Sequence, residues 1–210
     1  MPANVQPTLA QRTRLSPQRR AELYAAVIEL LREVGYESLT MPDVALRARC
    51  STATLYRQWQ GKPGLVVAAL RHHHPPPGPE LDVDTGSLRG DLHEVAARVP
   101  IVTPEVHQLM AALAHAVLRD PELAAIVQQQ LAQPAALIID RVIERAIGRG
   151  EIPADTPARA FAPYLMIAAA QARPMLDGQY ADADYMERYV DAVMMPSLKS
   201  PAHPGNQLPG

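Results

Sequence analysis

The chain has 210 residues, 48% of them hydrophobic and 20% charged, a balance that excludes a disordered or fibrous protein and suits one large or two small globular domains. Its net charge of −2 hides a polarity: residues 1–71 carry ten Lys/Arg against five Asp/Glu, net +5, and residues 72–210 carry ten against seventeen, net −7. A basic end on an acidic body suits a polyanionic partner whose phosphates Lys and Arg neutralise, and the motif below favours that reading over a merely solvated surface.

In chain order, residues 1–16 are polar, with no periodic apolar face, and read as a flexible basic arm. Arg12 and Arg14, with Arg19 and Arg20 just beyond, are placed either to touch phosphate or a minor groove or simply to be solvated. The segment lacks the apolar stretch of a secretory signal, and no later apolar run approaches the roughly 18–20 residues needed to cross a bilayer. A cytoplasmic protein without membrane contact is expected. Ser16-Pro17 supplies a cap and a proline at the first helical position. Tyr24, Val27, Ile28, Leu31 and Val34 then mark one face of a long helix that Gly35 ends. Thr40 with Asp43 three residues on is a capping-box-like start for a short helix from Pro42 to about Arg47. A turn at Ala48-Arg49-Cys50 follows, and Ser51 caps a second short helix, Thr52-Ala53-Thr54-Leu55-Tyr56-Arg57-Gln58-Trp59.

Two short helices at this spacing let the second lie in a major groove while the first crosses the backbone. The second offers hydroxyls, a small Ala, a Tyr and an Arg, groups suited to base edges and phosphates. Gly35-Tyr36, Thr40, Ser51 to Tyr56, Trp59, Lys62 and Leu65 together resemble the N-terminal domain of the TetR family of transcriptional repressors, over about residues 17 to 71. The chain departs from that pattern where the family has Gly-Val in the turn and this sequence has Arg49-Cys50, and where Pro63 replaces an acidic residue. Arg tolerates positive φ poorly, so the missing glycine bears on the turn's backbone geometry. The resemblance implies phosphate contacts from Tyr56 and Lys62. Chemistry agrees: a phenol donates to phosphate, and an ammonium adds charge at a helix N-terminus. Thr40, Arg49, Ser51, Thr52, Ala53, Thr54 and Arg57 complete the expected DNA-binding set, while Leu55 and Trp59 read as core anchors. Cys50 is the single cysteine, which rules out an internal disulfide framework and suits a reducing compartment. It reads as a small buried hydrophobe rather than a redox switch.

Gly61-Lys62-Pro63 opens a fourth helix carrying Leu65, Val66, Ala69 and Leu70 towards His72-His73-His74. Three adjacent histidines on a helix point about 100° apart and cannot converge on one metal; they suit a helix C-terminus instead. Pro75-Pro76-Pro77-Gly78-Pro79 marks the end of a DNA-binding domain over residues 17–74. Helices are predicted over about 85–99, 104–118, 121–149, 157–178 and 182–195, with Pro163 and Pro174 kinking or splitting the fourth. They make a C-terminal body over residues 85–195, and the breaker-rich residues 196–210 are expected to be disordered. The fold class is all-α, an N-terminal three-helix helix-turn-helix head plus a helical ligand-binding and dimerisation body. Leu88-Arg89-Gly90-Asp91-Leu92 and Asp120-Pro121-Glu122-Leu123 loosely resemble a C-terminal ligand-binding domain of the family's actinobacterial members.

The resemblance implies a homodimer on a palindromic double-stranded operator, released by a small-molecule effector. Candidate ligand-pocket residues are Met110, Leu113, Tyr164 and Met166, with His107 as a polar handle; plain core packing is the competing reading. Candidate dimer-interface residues are Phe161, Leu165, Ala168, Ala169 and Ala172 on one helix, and Tyr185, Tyr189 and Val193 on the next. No nucleophile elbow, phosphate-cradling glycine loop, HExxH or CxxC occurs, so no catalytic site, metal or cofactor is expected. The remaining alternatives are an activator or ligand-independent regulator of the same fold and, in another class, an α-helical hydrolase or metal-dependent enzyme.

Overall fold

The computed structural model describes residues 15–75, 82–98 and 104–201, with side chains from residue 108 in the last stretch. The expected arm residues Arg12 and Arg14, the proline run at 76–79, the His107 side chain and the tail from 202 lie outside the described residues. All described elements are helical. They divide into two compact units, one of residues through His74 together with Ala112–Ile126, the other of Pro75–Ala111 with Val127 onward.

In the first unit, helix α1 (Pro17–Ser38) starts on Ser16, whose hydroxyl accepts the Arg19 N–H at 3.2 Å. Leu23, Tyr24, Val27, Ile28 and Leu31 are buried at helical spacing. Val34, expected on that face, is instead 45% exposed. It sits beside Gly35, whose φ of 74° breaks the helix and turns the chain away, a conformation that glycine adopts without a Cβ penalty. Helices α2 (Met41–Arg47) and α3 (Thr52–Trp59) follow, then α4 (Lys62–His73), in which Leu65, Val66, Val67, Ala69 and Leu70 are buried. Gly64 lets α4 approach α3 closely: a Cβ there would lie 2.4 Å from the Trp59 carbonyl oxygen. The end of α6 (Pro104–Val117) and α7 (Pro121–Val127) bring Ala112–Ile126 into this unit. The boundary expected from sequence assigned those residues wholly to the body. Tyr36 and Asp120 hydrogen-bond at 2.9 Å within this unit.

The second unit is built on α5 (Leu88–Arg98), α8 (Gln133–Gly148), α9 (Ala162–Asp177), α10 (Ala183–Tyr189) and α11 (Met195–Lys199). Its core joins Leu88, Leu92 and Val95 to Ile138, Ile139, Val142 and Ile143, and these to Met166, Ala169, Met186 and Val190. Asp91 is fully buried among these apolar neighbours, yet one oxygen accepts from the Thr85 N–H at 2.6 Å and the other from Arg149 at 2.9 Å. Burial pushes its carboxyl up, but the Thr85 and Arg149 hydrogen bonds outweigh that and hold it below the usual range.

Proline acts differently from the expectation. π-helical turns at Gln128–Ala132 and Val190–Met194 each stand just before a proline, Pro134 and Pro196. A proline that cannot donate its N–H, and whose ring crowds the preceding turn, is accommodated by widening that turn rather than ending the helix. The expected tail therefore begins later than 196: α11 runs to Lys199 and buries Leu198. Met186, Val190, Met194 and Leu198 recur every fourth residue, a stripe that drifts about 40° per step in an α-helix; the wide turn offsets that drift. Pro163 marks the change from a 3-10 turn (Pro157–Phe161) to α9, and Pro174 lies inside α9.

Candidate nucleic-acid interface

The helix-turn-helix forms from local signals. The Thr40 hydroxyl caps α2, accepting the Asp43 N–H at 3.3 Å and donating to its carboxylate at 2.5 Å. The Ser51 hydroxyl caps α3 through the Thr54 N–H at 3.2 Å. Between them Arg49 adopts φ 50°, taking with a bulky side chain the left-handed place that glycine fills at lowest cost. The turn is over-determined around it: the Cys50 N–H donates to the Ala45 carbonyl at 2.9 Å. The guanidinium of Arg19 donates to the Ala48 and Arg49 carbonyls at 3.1 and 3.4 Å. Arg19, grouped by sequence with the arm, thus serves the turn from α1. Cys50 is half-buried and burial pushes its thiol up, which favours the protonated form and slows its reactions at neutral pH.

Leu55 is fully buried, and the Trp59 indole donates to the Tyr24 hydroxyl at 3.3 Å with the rings edge to face. These anchors fix the opposite face of α3. Ala53, Tyr56, Arg57 and Gln60 are exposed there at i, i+3, i+4 and i+7, one stripe of a helix small enough for a major groove. Tyr56 is 53% exposed. Gln60, absent from the sequence-based set, closes α3 with φ 60° and an N–H to the Tyr56 carbonyl at 2.9 Å. Thr54 is half-buried and its hydroxyl lies 2.9 Å from that of Ser51, so it supports the cap. Thr52 is half-buried as well, and Arg49 and Ser51 are exposed.

Residues 23–69 match the bacterial regulatory proteins of the tetR family, and residues 82–193 match the tetracyclin repressor-like C-terminal domain. The chain is 31% identical to an uncharacterised HTH-type transcriptional regulator of Mycobacterium tuberculosis, covering 86% of this chain and 88% of that one. It is 32% identical to the DNA-binding transcriptional repressor TetR of Mycobacteroides abscessus, over 84% and 92% of the two chains. The chain belongs to the TetR family. Its fold is also that of NalD, described as the secondary repressor of the MexAB-OprM multidrug efflux pump in Pseudomonas aeruginosa. That likeness has a TM-score of 0.62 at 18% identity, covering 87% and 97%.

As a TetR-family member it is a DNA-binding transcriptional regulator, in a family of regulators and not enzymes. Other expected site residues fall unevenly on this frame. Lys62 was expected at phosphate, but its ammonium turns inward, donating to the Tyr36 and Glu37 carbonyls at 2.9 and 3.3 Å and lying 4.3 Å above the Tyr36 ring. The carbonyls freed where Gly35 breaks α1 attract it there. His72 packs on the Tyr24 ring, centroids 5.2 Å apart, and among the described residues no group of three or more His, Cys, Asp or Glu is placed to hold a metal. Nor, among them, is any helix long and apolar enough to cross a membrane.

The expected ligand-pocket residues are divided between the two units. Leu113 and Met166 are buried at 4% and 2% exposure, one in each unit's packing, and Met110 is half-buried. Tyr164 stands 70% exposed because it projects from α9 opposite Met166. It lines a groove of about 970 Å³ with Leu137, Asp140, Glu144, Arg159 and Ile167. The expected dimer stripe splits by helical phase. Phe161 and Ala168 are exposed, Leu165 and Ala172 half-buried, and Ala169 is buried in the core. Tyr185, Tyr189 and Val193 are half-buried, the first two packed against the core and stacked on each other at 6.4 Å.

Proposed function

We propose that this regulator is a homodimeric repressor, each head reading half of a palindromic operator, and that a small molecule held by the C-terminal body releases it. The exposed stripe Ala53, Tyr56, Arg57 and Gln60 on α3 is the observation that carries the DNA-reading part. Tyr56 offers a phenol to phosphate, Arg57 a fork for guanine or phosphate, and Ala53 a methyl for thymine. Arg49 and the capped start of α3 flank this stripe, with Thr40 and Ser51 acting through the backbone they cap. Two relatives described as repressors favour repression over activation. A chromosomal target places the protein in the cytoplasm. Release by an effector requires that it bind the DNA-incompetent arrangement more tightly than the competent one.

A footprint over the promoter beside the chain's own gene tests this. Protection of an inverted repeat with half-sites spaced by about one or two helical turns is expected. Tyr56→Phe should weaken binding to all sequences alike, whereas Arg57→Ala should also relax base preference. A single protected half-site without dyad symmetry would overturn the palindromic reading.

A further inference from the structure

The groove beside Tyr164 is walled by two regular faces, both within the second unit. On α8 it takes Gln133, Ala136, Leu137, Asp140 and Glu144, at i, i+3, i+4, i+7 and i+11, one helical stripe about 16 Å long. The other wall runs from Thr156 through Ala160 and Pro163 to Tyr164 and Ile167. The core lies on the other side of α8, where Ile138, Ile139, Val142 and Ile143 are buried, so the space is a lateral slot and not a core cavity. Small side chains on both walls, Ala136 and Ala160, leave it open. Its volume of about 970 Å³ is that of a site for a drug-sized molecule.

Its polar groups are unevenly satisfied. Glu144 and Arg159 hold each other at 2.9 Å, and the Arg141 Nε donates to the Leu137 carbonyl at 3.4 Å. Asp140 is half-buried and has no hydrogen bond or ion pair among the described residues. A carboxylate partly withdrawn from water without a cation costs free energy. Thr156 is 4% exposed and stands at the cap position of the 3-10 turn, yet its hydroxyl caps nothing and meets no partner among the described residues. Native proteins leave few buried polar groups in that state. Over the lining as a whole, Asp140, Glu144 and Asp155 stand against Arg141 and Arg159, a surplus of one negative charge. Leu137, Tyr164 and Ile167 add exposed apolar length, and the face of a tyrosine ring also attracts cations.

We propose that this slot binds an organic ammonium ion with an extended apolar body. Its N–H groups donate to Asp140 and Thr156, and its hydrocarbon lies along Leu137, Tyr164 and Ile167. A second copy laid over the rim would roof the slot and need not fill it. The proposal deepens the reading of a regulator released by a small molecule, and rests on that reading only for what binding does to DNA.

Three probes with one apolar body and different head groups test it: decylamine, decanol and decanoate, titrated calorimetrically into the full chain at neutral pH below their micellar concentrations. Decylamine should bind saturably, one per chain, at least about tenfold more tightly than the other two, a charged hydrogen bond's worth. Asp140→Asn should abolish the preference for the amine and leave decanol binding unchanged, whereas Asp140→Glu, which keeps the charge, should retain it. Thr156→Val should weaken the amine severalfold, and Ala160→Trp, at an exposed position, should block all three probes while the helix content stays that of the parent. Equal affinities for the three probes, tighter binding of decanoate, or an amine preference that survives Asp140→Asn would overturn the site. The titration is then repeated with the duplex of the chain's own promoter. If decylamine fills the slot and the duplex stays bound, release by such a ligand fails and the slot stands. If the parent chain does not bind the amine, the slot fails whatever the DNA does.

Discussion

Arg49 concentrates a conflict between fold and function in one residue. A non-glycine side chain in the left-handed region costs about 1–2 kcal/mol, and at φ 50° Arg49 bears it in the turn that aims α3. Such strain persists only where neighbours over-determine the backbone, here the Arg19 guanidinium and the Ala45 carbonyl. Arg49→Gly should relieve it. Part of the gain is offset by glycine's greater freedom in the unfolded chain, leaving a net stabilisation of about 0.5–1 kcal/mol. The same change removes an exposed cation beside the reading helix, so DNA binding should weaken, and its salt-dependence slope should shrink by about 0.9 for one phosphate. Denaturant melts and titrations at several salt concentrations measure both. A loss of stability together with affinity would mean that the guanidinium serves the fold and not the DNA.

At the scale of elements, Gly64 governs how α3 meets α4. With the Trp59 carbonyl 2.4 Å from where a Cβ would stand, Gly64→Ala has backbone to displace, an overpacking cost of about 1–3 kcal/mol. Trp59 is the chain's single tryptophan, so its emission should shift as its bond to Tyr24 is strained. Unchanged emission and an unchanged melt would show that α4 has slack at this point. The helix-turn-helix was legible in sequence because its signals are local: Thr40 and Ser51 each cap an N–H three residues away. Less was legible where partners are remote or patterns degenerate. Lys62 looked like a phosphate ligand because its carbonyl partners lie 26 and 25 residues earlier. Helix α9 is apolar on two sides, with Met166, Ala169 and Ala170 inside and Phe161, Tyr164 and Ile167 outside. Composition alone gave no phase there, and Ala169, expected at the dimer interface, is buried in the core. Pro196 read as a breaker, and the helix expected over 121–149 gave no sign of the widened turn before Pro134, because sequence does not tell a broken turn from a widened one.

At the scale of the whole molecule, that outer side of α9 needs a cover. Tyr164 at 70%, Phe161 at 55%, Ile167 at 44% and, on α8, Leu137 at 58% put four large apolar side chains in water, and exposed apolar patches mark interaction sites. A second copy packed about a two-fold axis would bury this surface against itself, in an interface on the order of 2,000 Å² or more if obligate. Tyr164→Glu combined with Ile167→Glu should give monomers by light scattering, with native helix content, since both positions face solvent. Binding to an intact palindrome should fall far more than binding to a half-site. A doubly substituted protein that still scattered as a dimer would move the two-fold axis to another face. Ala169→Glu is unsuited to this question because it would bury a charge in the core.

Cys50 gives the turn a built-in handle for spectroscopy. It is the chain's only thiol, and it sits half-buried between α2 and α3. A maleimide spin label or fluorophore will therefore attach at one defined point per head without any engineered cysteine. Because burial raises the thiol's pKa, labelling runs slowly at neutral pH and reports the opening of the turn. In a paired assembly the two labels form a ruler, and the spread of their separations with and without operator DNA reads the spacing of the heads directly.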